Sequence, residues 1–72
     1  MGRKVRYDTL IKDDVDKIVA RANFTEEQSA VFDELCKGRL YDAGIWLKLN
    51  MGQTKYYEVK KKVEDKVMRI LL

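Results

Sequence analysis

The stretch LNMGQTKYYEVKKK, residues 49–62, decides how this chain reads. Its left edge closes a short apolar pattern. Its centre is a break of Asn50, Met51 and Gly52, and its right edge opens a second pattern with paired tyrosines and three lysines. From Tyr56 onward apolar side chains recur at Val59, Val63, Val67 and Ile70. Steps of three and four place them on one side of a helix. Gln53, Lys55, Glu58, Lys61, Lys62, Asp65 and Arg69 take the opposite side. In the break, Asn50 tolerates positive φ. Met51 can plug the core between two helices, and Gly52 is an acceptable, if weak, N-cap. A helix over about 53–70 is expected, entered through a tight turn.

Working outward, residues 41–49 (YDAGIWLKL) place Ile45, Trp46 and Leu49 on one face. Gly44 inside this short helix costs about 1 kcal/mol relative to Ala and suggests that another backbone passes close by. Upstream, FTEEQSAVFDELCKG has the best-marked ends in the chain. Thr25 and Gln28 form a capping box, Glu26 and Glu27 suit the positive helix start, and Gly38 supplies a left-handed stop. Val31, Phe32, Leu35 and Cys36 give this helix, over 25–37, its buried stripe. The first segment has apolar residues at Leu10, Ile11, Val15, Ile18, Val19 and Ala22. It predicts a helix over about 9–22, capped by Asp8 or Thr9 and left through Asn23. No strand alternation, repeat or linker interrupts the series. The expectation is a small all-α domain of four helices (about 9–22, 25–37, 41–49 and 53–70). Residues 1–7, with three basic side chains, are expected to form a disordered basic arm.

The totals agree with one small domain. Of 72 residues, 46% are hydrophobic and 38% charged, with no Pro. That is too apolar for a disordered chain and too poor in turn formers for a sandwich or barrel. Cys36 is the lone cysteine, so no intrachain disulfide can form, and a cytoplasmic setting is expected. No apolar run approaches the roughly 20 residues that span a bilayer, so no membrane partner is expected. The start MGRKVRYD lacks the apolar run of a secretory signal, and Arg6 occupies the position where a myristoylation signal wants Ser or Thr. Charge is uneven. Residues 25–38 hold one basic and four acidic side chains, whereas residues 39–72 hold eight basic and four acidic. A basic half suggests a polyanionic partner.

Chemistry-bearing residues are sparse. There is no His, and one Cys without His excludes ordinary zinc sites. Phosphate-binding glycine motifs are missing. Asp13, Asp14 and Asp16 lack the alternating spacing of a calcium loop and read as a solvated helix face. Neither enzymatic activity nor a metal or other cofactor is expected. What remains is a short helix, a tight turn and a second helix opening on small polar residues, the layout of a helix-turn-helix. In such a motif the start of the second helix meets base edges in the major groove of double-stranded DNA. Gln53, Thr54, Tyr57 and Glu58 are the candidate base readers. Arg39, Tyr41, Lys55, Lys61 and Lys62 are the candidate phosphate contacts. Ile45, Trp46, Leu49, Met51, Tyr56 and Val59 would hold the two helices together.

The run FTEEQSAVFDELCKGRLYDAGIWLKLNMGQTKYYEVKKKVEDKV resembles the sigma-70 region 4 type of helix-turn-helix. Within it, IWLKLNMGQTKYYEVKKK is closer still to small phage regulators of the ArpU/RinA type. Those show a pattern that Ile45, Leu49, Asn50, Met51, Tyr56, Tyr57 and Lys60 carry here. Gly52 stands where that pattern has a capping Ser, and Trp46 where a small Ala commonly packs. The resemblance implies a DNA-binding transcriptional regulator of prophage or mobile-element origin.

One small module reads few base pairs, so two copies are expected to cooperate. Val63, Val67, Ile70 and Leu71 form an apolar end suited to a homodimer, unless the first helix folds over it. The rival reading is a helical adaptor that binds RNA polymerase or another regulator through apolar surface. An RNA binder is a weaker third reading, because its exposed aromatics would be limited to Tyr7, Tyr41 and Tyr57.

Overall fold

Four helices are built by the signals that mark their ends: α1 (Lys12–Ala22), α2 (Glu26–Lys37), α3 (Asp42–Lys48) and α4 (Gln53–Leu71). The structure, a computed structural model, describes residue 7 and residues 10–71. No strand occurs among the described residues, so the domain is all-α. The Thr25 Oγ1 accepts from the Gln28 N–H at 3.2 Å, and the Thr25 N–H donates to Gln28 Oε1 at 3.2 Å, closing the capping box. Gly38 ends α2 at φ 65°, where a side chain would be strained. Asn23 ends α1 in the left-handed region at φ 51°.

One boundary differs clearly from the sequence reading. α1 begins at Lys12, with Ile11 at its N-cap and no side-chain cap, rather than near Thr9. The caps assigned to Asp8 and Thr9 lie outside the described residues, as does most of the basic arm. Tyr7, the end of that arm, is half-buried, its ring edge-on to Phe32 at 6.1 Å between centroids. Hence Tyr7 is a packing residue and not an exposed aromatic.

The core joins Ile18 and Ala22 of α1, Val31 and Phe32 of α2, Ile45 of α3, and Tyr56, Val59, Val63 and Val67 of α4. α1 and α2 both pack on α4, so the long helix is the spine of the fold. Val63 and Val67 are 0% exposed. They therefore serve the core of one chain and offer nothing to a second copy. Of the apolar end, Leu71 is 40% exposed and Ile70 is partly covered. No helix among the described residues is long and apolar enough to cross a membrane.

Candidate nucleic-acid interface

The corner between α3 and α4 is shaped by backbone hydrogen bonds. The Asn50 N–H donates to Leu47 O at 3.2 Å, and the Met51 N–H donates to Trp46 O at 2.8 Å. With Asn50 at φ 57°, this is the paired-bond helix end that a left-handed residue allows. Gly52 then accepts from the Tyr56 N–H at 2.9 Å, the first bond of α4. Trp46, Leu49 and Met51 are partly buried against the core, as the sequence suggested.

A side-chain latch fixes the two helices. Asp42, in the first turn of α3, accepts through Oδ1 from the Tyr56 hydroxyl at 2.7 Å and from Lys60 Nζ at 3.0 Å. Tyr56 and Lys60 are four apart, so both reach Asp42 from one side of α4. Burial, with the Asp42 bond second, pushes the Tyr56 phenol well above its ordinary value. An aromatic cluster adjoins the latch. Trp46 lies 5.6 Å from Tyr56 and 5.7 Å from Tyr57, centroid to centroid.

The sequence-predicted base readers share the solvent side of α4. Gln53, Thr54, Tyr57 and Glu58 are all exposed. Thr54, Tyr57, Glu58 and Lys61 follow steps of three, four and seven, hence one stripe opposite the buried Tyr56, Val59 and Val63. The run of three lysines is split by the fold. Lys60 is held by Asp42, whereas Lys61 and Lys62 are exposed and make no ion pair among the described residues. Arg39 is likewise exposed, and Tyr41, at the N-cap of α3, is 93% exposed. Lys55 stands 3.4 Å from Glu27 of α2. Both partners are half-exposed, so the pair is weak and open to exchange with another anion.

Other charges knit the helices together. Lys48 reaches the buried carboxylate of Glu34 at 2.8 Å. Lys66 donates to Asn23 O at 3.2 Å and to Gln28 Oε1 at 2.6 Å, tying the α1–α2 junction to α4. Sequence reading missed Asp42, Glu34 and Lys66, since each acts through a partner distant in the chain. Comparison with family models, curated proteins and solved structures finds no match.

Proposed function

We propose that this chain is a sequence-specific double-stranded DNA-binding transcriptional regulator. In this reading α3, the Asn50–Gly52 turn and α4 act as a helix-turn-helix. The single observation that carries the proposal is the division of α4: one face is core, and the other presents polar side chains from its first turn. Such a helix can enter the major groove without disturbing what holds it to the domain. The latch supports this, because Asp42, Tyr56 and Lys60 fix the reading helix against α3. The resemblance of residues 24–67 to sigma-70 region 4 and to ArpU/RinA-type phage regulators points the same way and suggests a mobile-element setting.

The roles follow from chemistry. Gln53 can bond adenine through its amide, and Thr54 offers a hydroxyl and a methyl. Tyr57 adds apolar surface, and Glu58 could accept from a cytosine amine. Arg39, Lys55, Lys61 and Lys62 would contact phosphate, with Tyr41 as a neutral donor. Four cations predict a slope of about −3.6 for log affinity against log salt. An adaptor is the second reading, favoured by the exposed Leu47 of α3 and the exposed Tyr41 at its N-cap. Binding through that apolar surface would show little slope. Fluorescence anisotropy with a labelled duplex across a salt series distinguishes the two.

A further inference from the structure

The exposed stripe of α4 has one apolar member. Thr54, Glu58 and Lys61 are polar, and Tyr57 among them is 43% exposed. The other exposed large apolar residue of this helix, Leu71, lies at its far end. The Tyr57 ring is also braced. It meets Tyr56 edge-on at 5.3 Å and Trp46 edge-on at 5.7 Å, centroid to centroid. Tyr56 is fully buried and bonded to Asp42 at 2.7 Å, and Trp46 packs against the core 5.6 Å from it. Two rings anchored in the core thus hold a third that reaches solvent. Such edge-to-face contacts add to what burial alone contributes. A ring held this way loses little freedom on binding, unlike the long side chains of Gln53 and Lys61.

We infer that Tyr57 reads the C5-methyl group of a pyrimidine in the major groove, and that Trp46 positions it. This rests on the DNA-binding reading and adds the base feature that α4 selects. Polar side chains of the stripe match the donors and acceptors on base edges. The apolar feature of those edges is a C5-methyl, which thymine carries. An apolar ring among polar readers is complementary to it. Thr54, one turn earlier on the stripe, brings a second methyl to the same region. Methylated cytosine carries the same group as thymine, and the test separates the two.

The test uses the duplex that the wild-type chain enriches most from a random pool. Each thymine is replaced in turn by deoxyuridine, which removes only the methyl. Each cytosine is replaced in turn by 5-methylcytosine, which adds one. Fluorescence anisotropy gives the affinity ratio between the methylated and unmethylated duplex at each position. Loss of folded protein scales both affinities alike and leaves that ratio unchanged. Wild type should favour the methyl about fourfold at one position, the value of one buried methyl group. Tyr57→Ala should abolish the preference, and Tyr57→Phe, which keeps the ring, should retain it. Trp46→Leu should lower it, and Trp46→Phe, which keeps a ring beside Tyr57, should preserve it. A response at a thymine or at a cytosine names the base that carries the methyl.

Selective binding with no methyl-sensitive position, or a preference that survives Tyr57→Ala, overturns this inference alone. A preference lost in Tyr57→Phe assigns the contact to the hydroxyl and overturns it as well. A ratio unchanged in Trp46→Leu overturns the positioning role of Trp46. Equal binding to all duplexes, or to none, overturns the inference together with the reading on which it rests.

Discussion

At the scale of single residues, the three consecutive lysines illustrate how one charge run divides into two tasks. Lys60 belongs to the latch and Lys61 to the solvent stripe. Lys61→Ala should weaken binding on all duplexes alike and flatten the salt slope by about 0.9, the share of one phosphate. Lys60→Ala should leave that slope nearly unchanged and instead lower the urea midpoint. Equal effects of the two substitutions on the slope would contradict the assignment. Gln53→Ala and Thr54→Ala should each cost about 1–3 kcal/mol at a preferred site and little on random DNA, as competition binding would show. Tyr56→Phe keeps the buried ring but removes the bond to Asp42, at a cost of about 1–2 kcal/mol in denaturant unfolding. The same hydroxyl gives a pH signature. Burial raises the Tyr56 phenol above its ordinary 10.0, and burial raises the Cys36 thiol from 9.0 to about 11. A group whose folded pKa exceeds its unfolded value contributes fully below the unfolded value and is lost as pH rises. Stability should thus be insensitive to these groups at neutral pH and fall above about pH 9–10, less steeply in Tyr56→Phe. Unfolding midpoints that do not fall between neutral pH and pH 11 would count against it.

At the scale of the elements, helix ends are set by local chemistry and can be tested one at a time. Thr25→Ala opens the capping box and should cost about 1 kcal/mol, read as a lower melting temperature. Gly44 is informative because its expected reason is wrong. No backbone crowds it; a Cβ there would meet the Leu40 side chain at 3.3 Å. Leu40 is exposed and can shift, so Gly44→Ala should stabilise α3 by up to about 1 kcal/mol. Destabilisation on thermal unfolding would mean that Leu40 is more firmly held than its exposure suggests. These cases show what was legible. The capping box of α2, Gly38, the left-handed Asn23 and Asn50, and the buried stripe of α4 are local or periodic signals, and the structure carries all of them. The start of α1 was misjudged because Ile11, though apolar, stands outside the helix at its N-cap. The Lys60–Asp42 and Lys48–Glu34 ion pairs were illegible, because they join residues brought together only by the packed helices. For the candidate interface, periodicity was enough to put Gln53, Thr54, Tyr57 and Glu58 in solvent. It could not tell Lys60 from its neighbours.

At the scale of the whole molecule, α4 is at once the spine of the core and the bearer of the exposed polar stripe. Affinity and stability should therefore separate by face. Changes at Val63 or Val67 act through folding, and changes at Thr54 or Lys61 act through binding. The acidic segment of α2 lies elsewhere, its Glu26 and Asp33 bordering the groove with α1. Charge is thus sorted between the basic α4 and an acidic edge of the α1–α2 groove. The central claim is that α4 reads duplex DNA. It is tested most directly by selecting bound duplexes from a random pool at near-physiological salt and sequencing them. An enriched motif that is lost when Gln53 and Thr54 are both changed to alanine is the predicted result. A retained pool that stays random, or no retention at all, would contradict the account.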